Sequence, residues 1–339
     1  MEKKYPNIFS YATSELSQDA MFAWLLMWSA PEYAESDPEL HSIGKQFVRL
    51  LAGKDSGYLV ESIKVGRQWE GIDIWAEINE NTVLVIEDKT GTSVHDTQLR
   101  RYMDSIDWAY AGKRSDLCYA YVKTGDEPYS VLKSIENTGF RPITRSGILD
   151  CLDEYQGNDT LLVSYREHLR KIEDSVNSYK VLPEREWGWN AWKGFYKELE
   201  LRVGIDSWGY VSNPSGGFLG AWWHFMEIGD CEMYLQFEQG KLCFKISYDG
   251  AEDRSEVRYS HYTRLMAIAH DRFPEIRRPD RFGTGTYMTI AVVDERIIFG
   301  DDLVDMTFLV SKLKRYEALI DEYCEGTKVN PHSIIPPST

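Results

Sequence analysis

Between Gly71 and Tyr102 the chain reads GIDIWAEINENTVLVIEDKTGTSVHDTQLRRY, and this stretch limits the possible folds more than any other. Two apolar runs flank a polar turn at Asn79-Glu80-Asn81, the pattern of a β-hairpin. The second run ends by breaking into Glu87, Asp88 and Lys89. Charges at the end of a buried strand are costly unless they are paired or hold a metal. Pairing Ile78 with Thr82 brings Asp73 opposite Glu87. Side chains alternate along a strand, so Glu87 and Lys89 share a face and Asp88 points away. Asp73, Glu87 and Lys89 then converge, whereas a slip of one residue sets Asp73 against Asp88 and scatters the group.

Two carboxylates and an ammonium at one strand end can hold a hard divalent cation through oxygen. They leave the lysine to orient or deprotonate a water, or to steady a phosphoryl charge. The alternative is a solvated hairpin end whose charges pair with one another. A helix is expected from about Val94, capped by Thr92 or Ser93, with Asp96 in its first turn. Gln98 and Tyr102 are four apart, share one face of that helix, and follow Lys89 closely enough to point at the same place.

Asp, then Glu-x-Lys on a hairpin, then Gln-x-x-x-Tyr on the next helix resembles the PD-(D/E)XK nuclease superfamily, in the branch with an exonuclease-type Gln-x-x-x-Tyr helix. The proline that usually precedes the aspartate is replaced here by Ile72. Carried over residue by residue, the resemblance implies Asp73 and Glu87 as metal ligands, with the backbone carbonyl of Asp88 beside them. It makes Lys89 the catalytic lysine, and Gln98 and Tyr102 substrate or site-shaping residues. It further implies Mg²⁺ or Mn²⁺ as cofactor and a nucleic-acid substrate, DNA before RNA. Bacterial members of the superfamily often serve defence, repair or mobile elements.

Upstream, residues 10–30 read SYATSELSQDAMFAWLLMWSA. Thr13 or Ser14 can cap a helix on which Leu16, Ala20, Ala23, Trp24 and Met27 recur at helical spacing. Glu15 lies in its first turn and Asp19 one turn later. The superfamily places a helix before the hairpin, often with an acid facing the metal, and Ser-Gln-Asp-Ala resembles one bacterial branch. Glu15 therefore reads either as an accessory metal ligand or as a carboxylate favoured by the helix dipole; Asp19 reads as structural.

The rest of the first half completes a restriction-endonuclease-like α/β sandwich on a mixed sheet, with an αβββαβ core. A helix over residues 37–52 opens on Asp37-Pro38, and Gly57–Val65 is the expected first strand. Arg67 and Glu70 bracket the next turn; Arg67 reads as a surface arginine or a phosphate contact. Leu117–Val122 is a buried strand, Glu127-Pro128 starts a helix, and Phe140–Thr144 is a strand. Ser146 caps a helix toward Tyr155, and residues 159–178 form another.

With 339 residues, two domains are expected. We read residues 1–180 as the nuclease-like domain, 186–330 as a tryptophan-rich α+β domain, and 331–339 as a tail. In the second domain, Trp189–Leu201 and Arg254–Phe273 are expected helices, followed by a closing helix over Leu303–Tyr323. Leu219–Ile228, Glu232–Glu238 and Leu242–Tyr248 form an expected antiparallel meander with hairpin turns at Gly229-Asp230 and Gln239-Gly240. Tyr287–Val293 is a further strand. Trp187, Trp189, Trp192, Trp208, Trp222 and Trp223 crowd into this half. They either fill a core or interface or stack bases. Arg277, Arg278 and Arg281 form its densest basic cluster, a solvated loop or a phosphate contact.

The formal charge of −16 argues against indiscriminate nucleic-acid binding through a basic surface, although local basic patches can still face a phosphate backbone. Residues 1–180 hold 20 basic against 29 acidic side chains, so neither half is basic. The five cysteines are scattered and the seven histidines lack zinc spacing. With no apolar run long enough to span a bilayer and no apolar leader, the expected setting is cytoplasmic. Two rivals stay open: a catalytically inactive nuclease fold acting as a nucleic-acid or protein binding module, and a protein partner or homo-oligomer held through the C-terminal domain.

Overall fold

The computed structural model describes residues 6–12, 14–92, 97–110, 116–213, 216–250 and 253–329. Thr13, Ser93, Val94, His95, Asp96, Pro214, Ser215, His332 and the tail 331–339 lie outside them, so the helix start and caps expected there are not described. The chain divides into two compact units, Met1–Asp174 and Ser175–Thr339.

The first unit opens with α1 (Glu15–Met27) and α2 (Pro38–Ala52), followed by the meander β1 (Ile63–Trp69), β2 (Ile72–Ile78) and β3 (Thr82–Lys89). After α3 (Gln98–Ala109) come β4 (Asp116–Lys123), α4 (Tyr129–Asn137), β5 (Arg141–Thr144), α5 (Arg145–Asp153) and α6 (Thr160–Asn177). The sheet order is β1-β2-β3-β4-β5. β1, β2 and β3 pair antiparallel, while β3, β4 and β5 pair parallel. This is the mixed α/β sandwich expected, and β3 is its central strand, buried along its whole length.

The hairpin turn sets the register. Asn79 and Glu80 both adopt left-handed backbone (φ 53° and 59°), a conformation asparagine tolerates better than most residues. Ile78 pairs with Thr82 and Ile74 with Ile86, so Asp73 and Glu87 stand one step beyond the last paired residues. Alternation along β3 then separates two cores. Leu84 and Ile86 pack with α1 and α2 residues such as Phe22 and Phe47. Val83 and Val85 pack with Leu99, Tyr102 and Ile106 of α3.

Several local expectations are corrected. α1 buries Gln18, Asp19, Met21, Phe22, Leu25 and Leu26, while Leu16 is exposed; the apolar repeat chosen from sequence is not its inner face. The reason is that two polar residues, Gln18 and Asp19, belong to the buried side, so hydrophobicity alone misplaces the stripe. β1 starts at Ile63, not Gly57. The Asn79 side chain accepts from Glu61 N and Ser62 N and donates to Leu59 O, which occupies the backbone groups a strand would need there. Arg67 is consequently on β1, not in the turn. α3 begins at Gln98 behind Thr97, and the Thr92 hydroxyl bonds Glu15 instead of capping it. α5 starts at Arg145, with Thr144 as the residue before it and not Ser146.

The second unit holds α7 (Trp189–Arg202), β6 (Ser207–Val211), β7 (Phe218–Ile228), β8 (Cys231–Glu238) and β9 (Lys241–Tyr248). α8 (Arg254–Ala269), β10 (Tyr287–Val293), α9 (Glu295–Phe299) and α10 (Met306–Val329) follow. Its antiparallel sheet runs β10-β9-β8-β7-β6. The expected meander is its centre. β6 is an additional strand that sequence pattern does not mark, because SWGYV is short and carries a glycine. Trp187, Trp192, Trp208 and Trp223 are core residues on one face of this sheet. No helix among the described residues is long and apolar enough to cross a membrane.

Candidate active site

The buried C-terminal end of β3 puts Glu87 and Lys89 on the α3 side and Asp88 on the α1 side. The Lys89 ammonium contacts Glu87 Oε1, lies 3.8 Å from Asp73 Oδ2, and donates to the main-chain oxygen of Asp88 at 3.2 Å. It also stands 4.0 Å from Glu15 Oε2. Asp73 Oδ2 in turn accepts the Asp88 N–H at 3.0 Å, tying the ends of β2 and β3 together where their ladder stops.

α3 completes the polar cluster. Gln98 donates through Nε2 to Glu87 Oε1 and to the Tyr102 hydroxyl, both at 2.6 Å, and that hydroxyl donates to Gly71 O at 2.6 Å. The spacing of four residues thus builds a relay from the β1–β2 turn to the Glu87 carboxylate. Gly71 occupies positive φ (83°), which a side chain would resist.

Glu15 reaches the same strand end from α1. Its Oε1 accepts from Thr90 N at 3.1 Å and from the Thr92 hydroxyl at 2.8 Å. Burial works against its charge, but these two bonds and the nearby Lys89 hold its pKa below the usual glutamate value. Glu15 is therefore a clamp on the segment leaving β3, with one oxygen turned toward Lys89.

The electrostatics follow from burial. Burial pushes the Glu87 carboxyl up to about 7, and the neighbouring negative charge of Asp73 adds to it, against the opposing pull of Lys89. Burial disfavours the Lys89 charge, but the bond to Glu87 and the charges of Glu87, Asp73 and Glu15 outweigh it, so its pKa is raised. Behind the strand, burial and then the charge of Asp73 lift Asp19 to about 6, and burial holds Asp88 well above the usual aspartate range.

Glu87 Oε2 is buried with no hydrogen-bond partner among the described residues. A fully buried carboxylate oxygen left without a donor, beside a second carboxylate and a main-chain carbonyl, is a hard-oxygen set suited to Mg²⁺ or Mn²⁺. The Lys89 ammonium sits on those same three groups. Among the described residues no three His, Cys, Asp or Glu side chains are gathered closely enough to hold a metal by themselves.

Sequence reasoning missed the support behind the strand. Gln18 donates to Asp88 Oδ1 at 2.6 Å and accepts from Thr124 (3.0 Å) and Tyr165 (2.9 Å). Asp19 lies 3.7 Å from Arg67. Lys123, aligned with Lys89 across the parallel β3–β4 pair, bonds Thr92 O and Glu127. The available signal was polar residues interrupting otherwise apolar elements: Gln18-Asp19 in α1, and Lys123 at the end of the LCYAYV run.

No curated protein and no solved structure matches the chain. A model of the PD-(D/E)XK nuclease superfamily matches residues 6–188. That match spans more than half of the chain and contains every element of the cluster described above. The chain therefore belongs to the PD-(D/E)XK nuclease superfamily.

Proposed function

We propose that the protein is a metal-dependent nuclease that hydrolyses phosphodiester bonds of DNA, with RNA as the second substrate to test, in a role such as defence or repair. The observation that supports this reading best is the meeting of Asp73, Glu87 and the Asp88 carbonyl around one ammonium, with Glu87 Oε2 left without a donor. Those three groups would hold Mg²⁺ or Mn²⁺, with Glu15 beside them. A bound divalent ion would polarise the scissile phosphate and supply an activated water.

The chain's own residues do the rest. Lys89, held charged, orients the attacking water and offsets charge growing on the phosphoryl oxygens. Gln98 keeps Glu87 aimed, and Tyr102 fixes Gln98 by anchoring it to Gly71 O. Glu15 holds the Thr90–Thr92 segment against the site.

The test incubates the full chain with single- and double-stranded DNA and RNA in Mg²⁺, Mn²⁺ or chelator, alongside folded Glu87→Ala and Lys89→Ala variants. Cleavage should require the metal and both side chains. Cleavage that persists in chelator, or survives loss of Glu87, overturns the assignment. If no substrate is cut by wild type, the fold serves binding instead of catalysis.

A further inference from the structure

The sheet of the second unit has two unlike faces. Leu235, Phe237 and Phe244 point into the core. Alternation turns Trp222, Tyr234, Gln236, Glu238 and Lys245 to the other side, where they line a cleft of about 550 Å³. Trp222 pairs with Gln236 and Tyr234 with Lys245 across the ladder, so aromatic and polar side chains stand next to each other in rows. Phe218 and the exposed Tyr287 form further walls. The Phe225 and Tyr234 rings already stack at 4.7 Å with 20° between their planes. The β7 bulge between Trp223 and Met226 bends this edge of the sheet.

The floor is polar and built. Gln236 and Lys245 are buried, and both donate to Glu238 Oε1 at 3.3 Å. Lys241 contacts the other Glu238 oxygen at 3.2 Å. Burial opposes the Glu238 charge, but Lys245 and Lys241 keep its pKa below the usual value. The floor therefore presents a carboxylate acceptor, an ammonium donor and an amide with both functions. An apolar partner would leave these groups facing hydrocarbon, at a cost. A flat ring with donors and acceptors along its edge satisfies both walls and floor.

Charge points the same way. A neighbouring cleft of about 370 Å³ shares Glu238 and is lined by Lys241, Arg277 and Arg281 against Glu238 and Asp280. Arg277 is held by Asp294 and Asp280, and Lys241 by Glu238, so Arg281 is the cation of this cleft left to meet a phosphate.

We propose that this face binds a nucleobase, stacked on Trp222 beside the Phe225–Tyr234 pair, with its edge on Gln236, Glu238 and Lys245 and its phosphate toward Lys241 and Arg281. The base comes from a single strand or from a free nucleotide. The proposal deepens the nuclease reading and rests on it for the source of the ligand, but it uses none of the nuclease side chains.

The test uses the full chain in chelator, so that no strand is cut, and measures binding of a fluorescent mixed-sequence single-stranded DNA 12-mer, the matching duplex and the four deoxynucleoside monophosphates. Single-strand or mononucleotide binding is expected, with the duplex weaker. Trp222→Ala and Gln236→Leu should each weaken it about tenfold or more. Tighter binding of the monophosphates than of the strand assigns the cleft to free nucleotide. A 5-bromouracil-bearing strand, photo-crosslinked to wild type, should label the peptide spanning 218–238, which keeps the test valid if a variant fails to fold. No binding of either ligand, unchanged affinity in both variants, or crosslinks only to other peptides overturns the proposal. Metal-dependent cleavage by wild type, measured separately, shows whether the nuclease reading stands when this one falls.

Discussion

Replacing Glu87 by glutamine should stabilise the fold while removing cleavage. A carboxamide has the shape of a protonated carboxyl, so the variant imitates wild type with Glu87 neutral. Glu87 is fully buried, and its pKa moves from the ordinary glutamate value of 4.5 to about 7 through burial and the charge of Asp73. A raised carboxyl pKa means that ionisation costs the folded state more than the unfolded one. The associated stability is complete below pH 4.5 and is lost as pH rises to about 7. At about 1.4 kcal/mol per pH unit, the ionised side chain costs roughly 3 kcal/mol, and this figure already includes its attraction to Lys89. In chelator, Glu87→Gln should therefore match wild type near pH 4.5 and exceed it by roughly 3 kcal/mol above pH 7, or roughly 6–12 °C in Tm for a unit of this size. Urea titrations followed by far-UV circular dichroism at pH 4.5, 6 and 8 measure the gap. Adding Mg²⁺ or Mn²⁺ should narrow it, because only wild type gains from binding. A gap that is the same at every pH, or a wild type more stable than the variant at pH 8, refutes the account of Glu87 as an ionised group held at a cost.

Three further outcomes follow from individual contacts. Tyr102→Phe removes the bonds of the hydroxyl to Gln98 and Gly71 O; it should cost about 1 kcal/mol in denaturant titration and lower kcat more than it raises KM. Gly125→Ala would place a Cβ 2.1 Å from Thr90 O, so the backbone beside the site must shift; a loss of about 1–3 kcal/mol together with reduced cleavage is expected, and an active, equally stable variant would contradict the close approach. In the second unit, burial and then the Arg264 charge push His261 down to about 4 while Tyr323 bonds its Nδ1. A lowered histidine pKa gives stability that is present above pH 6.5 and lost as pH falls to 4, roughly 3 kcal/mol, and His261→Gln should flatten that part of the acid-unfolding profile.

How far sequence reached is clearest on β3. Its apolar run, the Asn79-Glu80-Asn81 turn and the two-residue period are local features. They sufficed to place Glu87 and Lys89 on one face, Asp88 on the other, and Asp73 at the matching end of β2. The Gln98–Tyr102 spacing is equally local, because four residues make one helical turn. The meander of the second unit was readable for the same reason. Its tryptophans were not: adjacent Trp222 and Trp223 differ only in which side of the sheet they meet, and the core takes Trp223.

Sequence by itself therefore determined the hairpin, its register and the residues gathered at the strand end, since these depend on periodicities that act within a few residues. Tertiary structure alone decided that α1 turns Gln18 inward to Asp88, 70 residues away, and that Tyr165 closes on Gln18 from 147 residues away. It also decided that Glu15 clamps Thr90 and Thr92. Such contacts leave no periodic trace in the chain, because a buried polar residue is tolerated only where distant elements supply its partners, and those are known only once the elements have packed.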